Sequence, residues 1–213
     1  VGSEMCIRDS LGAVTYSRTN NDEAVGTYSE VLDAAYTENS NYTVTVNKGD
    51  FEIKTATIAD AVLTATGGSW DYDGKAHAAT AAVTGAGGYT IYYKVGEGNW
   101  TTEAPSVTNV SEGTVTVSVK ATRTGYSDLT AEDVTIKINP IPATITVDNA
   151  WKYFDAEDPA FTGKVEGLVA IGDLGAVTYS RTNNDEAVGT YSEVLNAAYT
   201  ENSNYTVTVN KGD

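Results

Sequence analysis

The chain of 213 residues is almost free of sulfur. It contains one cysteine, Cys6, and one methionine, Met5, and both lie within the first ten residues. Residues 11–213 therefore cannot be stabilised by disulfides, and they offer no thiol as a catalytic nucleophile.

Basic residues are also scarce. The sequence has 13 lysines and arginines against 29 aspartates and glutamates, a formal net charge of −16 at pH 7. A chain of this charge repels nucleic acid and anionic membranes. No run of about 18 apolar residues is present either, which is the length that a membrane-spanning helix requires. We expect no nucleic acid partner and no membrane insertion of this part of the protein.

Histidine is limited to His77. A Ser-His-Asp or Cys-His arrangement would have to include this residue. His77 follows a Gly-Lys turn, and we interpret it as a side chain at the edge of a strand. The sequence pairs no nucleophile with a base, so we predict that the chain is not an enzyme and has no catalytic residues.

Three acidic clusters offer the oxygen ligands that calcium prefers. None follows the twelve-residue calcium loop with its closing glutamate, and we interpret all three as solvated turns. We therefore predict neither a metal site nor a cofactor. The clusters are Asn20–Glu23, Asp71–Gly74 and Asp155–Asp158.

A repeat dominates what the sequence does contain. The forty residues Leu11–Asp50 recur as Leu174–Asp213 at an offset of 163, with one difference, Asp33 against Asn196. Repeats this similar are typical of tandem arrays that build length or multivalency. The identity stops abruptly at Leu11, because Val1–Ser10 share no residue with Lys164–Asp173.

The first ten residues resemble a translated sequencing adapter. All ten of Val1–Ser10 fit the adapter read in one frame. We interpret them as an artefact and exclude them from the prediction of the fold.

Apolar and polar residues alternate along several segments, which is typical of half-buried strands. Val115, Val117 and Val119 form one such set, and Tyr205, Val207 and Val209 another. No segment has a long helical period, and we interpret 187–199 as two short strands. The pattern predicts an all-β fold of tandem small β-sandwich (Ig-like) modules.

Module boundaries are indicated by two similar strand endings, Phe51–Ala56 and Val134–Ile138, each followed by a new strand-like run. Pro140-Ile141-Pro142 strengthens the second boundary, because proline restricts the backbone, and it predicts a short, stiff hinge. We divide the chain into residues 1–10, the suspected artefact; 11–56, the C-terminal part of one repeat; 57–141, a different β module; and 142–213, a repeat that lacks its last strand.

Two sets of segments carry family resemblances. The C-terminal set is Ala143–Val147, Lys152–Asp155, Asp158–Ala160, Glu166–Val169, Val188–Tyr191 and Asn204–Val207, and the central set is Tyr72–Lys75 with His77, Gly113–Val117 and Gly125–Tyr126.

Through the C-terminal set, residues 142–213 are similar to the MBG repeat of large bacterial surface proteins, with Phe154 in place of the usual glycine of a Tyr-Gly-Asp triplet. Through the central set, residues 57–141 resemble a YDG-type repeat. The resemblances imply surface or adhesin proteins that are extracellular and attached to the cell, and a β-grasp-like variant is an alternative fold for the MBG-type repeat.

Aromatic residues of the central module give the one candidate ligand patch. Alternation places Tyr89, Ile91 and Tyr93 on one strand face and Tyr92 on the other, so Tyr92 and Trp100 are the candidates for stacking on a sugar. Two functions remain open. One is a structural stalk whose partners are the neighbouring repeat modules of the same chain. The alternative is an adhesive module that binds a host glycan or protein through avidity.

Overall fold

The computed structural model describes residues 11–213, and the adapter prediction for Val1–Ser10 lies outside them. Seventeen strands and one 3₁₀ turn make up the secondary structure of this part, and it contains no α-helix. The predicted all-β fold is confirmed. The strands form three regions along the chain, each with its own sheets.

The N-terminal region is a three-stranded antiparallel sheet in the order β1-β2-β3. Its middle strand is irregular between Tyr28 and Leu32, where Glu30 adopts a positive φ of 57°. None of residues 11–56 is buried, so this sheet has no enclosed apolar core. The strands are β1 Thr15–Arg18, β2 Gly26–Ala35 and β3 Gly49–Ile53.

The central region is a two-layered β structure. β10 lies in the middle of a five-stranded sheet, with β8 on one side and β11 and β12 on the other, and β5 extends the sheet parallel to β12. The pairs β4–β7 and β6–β9 complete the region. Its elements are β4 Val62–Thr66, β5 Gly68–Asp71, β6 His77–Ala78, β7 Thr80–Thr84, β8 Thr90–Val95, β9 Ser106–Val107, the 3₁₀ turn Val110–Glu112, β10 Val115–Thr122, β11 Leu129–Thr130 and β12 Val134–Asn139.

Alternation along the strands builds the core of the central region. Val117, Val119 and Ala121 of β10 are buried, as the period-two pattern requires of one strand face. They pack in one cluster with Leu63 of β4 and Ile136 of β12, and this cluster joins the two layers.

The C-terminal region is built around one central strand, β13. This strand pairs antiparallel with β14 and parallel with β17, and β15 and β16 form a separate hairpin. Ala143, Ile145, Leu174 and Tyr205 form its buried core. The strands are β13 Ile141–Val147, β14 Gly163–Glu166, β15 Thr178–Arg181, β16 Leu195–Ala198 and β17 Tyr205–Asn210.

The expectation of two strands in 187–199 is wrong. The structure has one, Leu195–Ala198. Gly189–Tyr191 are irregular because no strand pairs with them within residues 11–213. In the first copy of the repeat the equivalent Gly26–Tyr28 pair with Phe51–Ile53 and are extended.

Most of the Pro140-Ile141-Pro142 segment, which the sequence predicts to be a hinge, belongs to strand β13. Only Pro140 separates β12 from β13, and Ile141 and Pro142 are already paired with β17. The Ile141 N–H donates to Asn204 O across this pair at 3.1 Å. Because pairing with β14 begins only at Thr144, the missing N–H of Pro142 costs no bond on the other edge.

Candidate functional site

The two residues of the predicted ligand patch lie close together on the outer face of the central sheet. Tyr92 is on β8, directly opposite Lys120 of β10, while Tyr93 beside it is buried in the core. The Lys120 ammonium lies 4.7 Å from the ring centre of Trp100 and 6.0 Å from that of Tyr92. Lys94 lies 5.4 Å from Trp100. A cation–π cluster therefore holds both rings, and a role for them in ligand binding stays a prediction.

His77 is held by an aspartate and a tryptophan. It lies in β6, with Nε2 3.0 Å from Asp73 Oδ1 and its ring stacked on Trp70 at 4.9 Å. Asp73 also accepts the Lys75 N–H at 2.9 Å. The hydrogen bond with His77, followed by that with Lys75, lowers the pKa of the Asp73 carboxyl. These contacts connect His77 to Trp70 of β5 and to Asp73 in the turn between β5 and β6.

The acidic clusters are engaged by bases and backbone. Glu23 pairs with Arg18, and Asp158 pairs with Lys152 and Arg181. In the part of the chain that the structure describes, no three histidine, cysteine, aspartate or glutamate side chains are grouped so as to hold a metal ion.

An apolar groove in the C-terminal region was not found from the sequence. It has a volume of about 660 Å³ and lies between residues 149–161 and 181–194. Trp151, Tyr153 and Phe154 line one side and Val188 the other, and these four residues are 71% to 89% exposed. Contiguous exposed apolar residues of this kind mark interaction surfaces. The run Trp151–Phe154 was the signal in the sequence, but the opposite wall comes from residues about 35 positions later.

A four-residue ion-pair cluster forms part of the groove lining. Lys152 Nζ lies 2.5 Å from Glu186 and 3.0 Å from Asp158, and Arg181 lies 2.6 Å from Glu186 and 3.5 Å from Asp158. The Arg181 and Lys152 hydrogen bonds lower the pKa of the Glu186 carboxyl. The Glu186 and Asp158 hydrogen bonds raise the pKa of Lys152. The cluster ties the two walls of the groove together.

The turn at Tyr153-Phe154-Asp155 forms although phenylalanine replaces glycine. The Ala156 N–H donates to Tyr153 O at 3.2 Å. The positive φ of 62° falls on Asp155, and Phe154 has no positive φ. Aspartate adopts this conformation more readily than bulky residues do, so Phe154 is accommodated without strain.

Asn204 connects the central and C-terminal regions. Its side chain is 6% exposed; Oδ1 accepts the Val110 N–H at 2.8 Å, and Nδ2 donates to Asn109 Oδ1 at 3.0 Å. The next residue, Tyr205, packs edge-on against Tyr72 at 5.5 Å between ring centres. The oxygen and the nitrogen of the Asn204 amide group thus each have a hydrogen-bond partner in the neighbouring region. These bonds offset the free-energy cost of burying the amide.

The hydroxyl of Tyr205 makes two hydrogen bonds within the C-terminal region. It accepts the Val169 N–H at 2.9 Å and donates to the Asp173 carboxylate. Burial, together with the bond to Asp173, raises the pKa of the Tyr205 hydroxyl. The junction is therefore continuous with the core of the C-terminal region.

The C-terminal region, with β13, β14 and β17 around one small core, is the part of the chain that matches a known family. Residues 143–213 match the model of the MBG domain (YGX type). This region is thus similar to the MBG domain, a repeat domain found in surface proteins. No curated protein and no solved structure matches the chain. The similarity of residues 57–141 to a YDG-type repeat stays a prediction, as does the adapter origin of Val1–Ser10.

Within residues 11–213, no helix combines the length and apolar character needed to cross a bilayer.

Proposed function

We propose that this chain is a non-enzymatic stalk segment of a secreted or cell-surface bacterial repeat protein, with an adhesin-like role. The match of residues 143–213 to a repeat domain of surface proteins supports this context. The recurrence of forty residues at an offset of 163 supports a tandem array, in which the partners of each module are its neighbours in the chain.

The observation that carries the proposal is the rigid junction between the central and C-terminal regions. A stalk stays extended only if successive modules keep a fixed angle to one another. Here β12 continues into β13 across the single residue Pro140, and Asn204 is bonded to Asn109 and Val110 on the other side. A covalent strand path and a buried side-chain contact together restrain both bending and rotation.

The junction before the central region is also paired. The Ala56 N–H donates to Gly125 O at 2.9 Å, and the Ser127 N–H donates to Ala56 O at 2.9 Å. The Thr57 and Ser127 hydroxyls lie 3.2 Å apart. Ala56 and Thr57 are therefore bonded to the neighbouring region.

The distance between spin labels on the two regions tests the proposal. Labels at Glu97→Cys and Glu201→Cys, both exposed positions, are placed in a chain carrying Cys6→Ser, which removes the competing thiol. We expect one narrow distance distribution, and we expect Asn204→Ala to broaden it. A distribution that is already broad without Asn204→Ala would contradict a stalk held rigid at this junction.

A second candidate function is adhesion to a host glycan or protein. The observation that favours it is that Tyr92 and Trp100, which is 38% exposed, both lie beside the Lys120 ammonium. Lys94 and Lys120 lie over these rings and compete with a sugar for their faces. A glycan array probed with the chain and with its Tyr92→Ala and Trp100→Ala variants separates the two functions, because only an adhesive module gives signals that both variants lose.

A further inference from the structure

The outer face of the central sheet is a basic surface on an acidic chain. The whole sequence has 29 acidic residues and 13 lysines and arginines. The three strands β8, β10 and β12 nevertheless contain no aspartate or glutamate, and each of them carries one lysine. These residues are Lys94, Lys120 and Lys137. Each directly follows a buried residue of its strand, so all three lie on the opposite, outer face.

The lysines of this face keep their charge available. Four other lysines in the described part of the chain pair with carboxylates. Within residues 11–213, Lys94, Lys120 and Lys137 have no such partner, and the first two contact aromatic rings instead. Cation–π contacts at exposed sites are weak, so an anion competes with them easily. Exposed acidic residues further than about 8 Å away are largely screened at physiological ionic strength and do not cancel the local charge.

Trp100 is held beside these lysines by a short backbone pairing. Tyr93 and Thr101 exchange two hydrogen bonds, of 2.7 and 2.9 Å. Their antiparallel register sets Trp100 next to Lys94. The ring centre of Trp100 lies 5.4 Å from the Lys94 ammonium and 4.7 Å from that of Lys120. The two cations and the ring are thus positioned before any ligand binds, which lowers the entropy that binding costs.

Two cations beside an exposed aromatic ring match a sugar that carries a carboxylate. Carboxylates accept charge-assisted hydrogen bonds from ammonium groups, and the apolar face of a sugar ring packs on an aromatic side chain. A neutral sugar fits less well, because Lys94 and Lys120 lie over the rings and a neutral sugar offers them no charge in exchange. Ser118, directly opposite Lys94 and on the same strand face as Lys120, adds a hydroxyl that can bond a sugar hydroxyl.

We propose that Lys94, Lys120, Trp100 and Tyr92 form a binding site for an acidic sugar residue of a glycan, either a uronic or a sialic acid. The carboxylate pairs with the two ammonium groups, the face of the sugar packs on Trp100, and Tyr92 borders the site at Lys120. This assignment rests on the adhesive function, the second candidate function, and the stalk does not depend on it.

Lys137 distinguishes a defined site from a general attraction of anions to the basic face. Ile136 pairs with Val115, so Lys137 lies about six residues from Lys120 along the strand direction. At about 3.3 Å per residue, this separation is roughly 20 Å. A sugar bound at Trp100 does not contact Lys137. An anion attracted to the face as a whole depends on Lys137 as much as on Lys120.

Amide NMR of the whole chain tests the proposal with two acidic probes, sialyllactose and trigalacturonate. Lactose and the methyl ester of trigalacturonate are the matched neutral probes. We expect an acidic probe to shift the amide signals of Lys94, Trp100 and Lys120, and we expect the neutral probes to leave them in place. The stronger of the two acidic probes identifies whether the carboxylate comes from a sialic or a uronic acid.

Two matched variants locate the charge that binds. Lys120→Gln should raise the Kd about tenfold or more, because it removes a charge-assisted hydrogen bond. Lys137→Gln makes the same change on the same face and should raise the Kd by less than about twofold, because its charge is distant and screened. Trp100→Ala should abolish binding. The spectra of these variants show directly whether the sheet is intact.

Equal shifts with lactose and sialyllactose would overturn the proposal and leave the adhesive function standing with a neutral ligand. Equal losses of affinity in Lys120→Gln and Lys137→Gln would also overturn it, in favour of a general attraction of anions. The absence of shifts with either acidic probe at about 10 mM, tenfold above a Kd of about 1 mM, would contradict it as well. Shifts of the same amides when the chain alone is concentrated would assign the face to a second acidic copy instead. None of these results changes the spin-label distances that test the stalk.

Discussion

The two copies of the forty-residue repeat differ at one position, yet residues that are identical in both take different structures. Tyr205–Asn210 form strand β17, while the equivalent residues 42–47 form no strand. Tyr205 is 6% exposed and its equivalent Tyr42 is 48% exposed. The C-terminal copy has β13 beside it, and no described strand occupies that place in the N-terminal copy.

Other parts of the repeat are the same in both copies. The hairpin pairing of Thr15–Arg18 with residues 32–35 recurs in the same register as Thr178–Arg181 with Leu195–Ala198. Tyr28 donates to Ala24 O at 2.7 Å, and Tyr191 donates to Ala187 O at 2.6 Å. Contacts between residues near in sequence are thus intrinsic to the repeat, whereas the outer strands form only where a partner is supplied.

The largest difference between the copies should appear on truncating a leucine that only one copy buries. Leu195 is 2% exposed and the equivalent Leu32 is 38% exposed. We expect Leu195→Ala to lower the free energy of unfolding of the C-terminal region by about 2–4 kcal/mol and Leu32→Ala to lower stability by less than about 1 kcal/mol. Denaturant unfolding measures both. Equal losses would show that the two copies are packed alike.

A smaller effect is expected at the junction. Asn204→Ala leaves the half-buried Val110 N–H without its acceptor, which should cost about 1 kcal/mol of stability. A double-mutant cycle with Asn109→Ala isolates the bond between the two side chains. Additive losses in this cycle would mean that Asn109 and Asn204 do not interact.

Acid should lower the stability of the C-terminal region through its four-residue ion-pair cluster, in which Lys152 and Asp158 lie outside the forty-residue repeat. The ordinary pKa of Glu186 is 4.5, and Arg181 and then Lys152 lower it in the folded chain. A carboxyl whose pKa is lowered by folding stabilises the folded state when the pH is above the ordinary pKa of that carboxyl. This contribution is lost as the pH falls through the lowered pKa. We expect melting of the C-terminal region to become pH-dependent below about 4.5.

Glu186→Gln is the control for this pH dependence. It removes the titrating group while keeping the size of the side chain. The acid-induced drop in melting temperature should therefore become shallower in this variant. An unchanged drop would assign the acid sensitivity to other carboxyls.

The smallest effect is expected at the one position where the copies differ. Asp33 lies 3.0 Å from Lys48, and hydrogen bonds from Lys48 and from the Ala34 N–H lower its pKa. This is an exposed pair, and such pairs contribute little to stability. We expect Asp33→Asn and Asn196→Asp to change the melting temperature within measurement error. A change in the strand content of either copy would mean that this residue, and not the neighbouring strand, decides the structure.

The sequence predicted the strands better than their pairing. Alternation identified β10 and β17, because one face of each packs on a core. The same alternation is present in residues 42–47, where it produces no strand. Alternation with a period of two indicates that a segment can form a strand. It does not identify the partner strand, because that strand lies far away in sequence.

The candidate sites show the same limit. Alternation correctly separated the faces of Tyr92 and Tyr93, because these residues are neighbours on one strand. The groove walls and the contact of Asn204 with Asn109 were missed. They join segments about 35 and 95 residues apart, and no local pattern marks such contacts.

Amide hydrogen exchange of the whole chain by NMR tests the central claim, that a neighbouring strand decides the structure of the repeat. NMR is needed because many proteolytic fragments of the two copies have the same mass. Amides of β17 that donate to β13 should exchange slowly, as paired strands in a core do, and the equivalent amides of residues 42–47 should exchange quickly. Equal protection in the two copies would contradict the account.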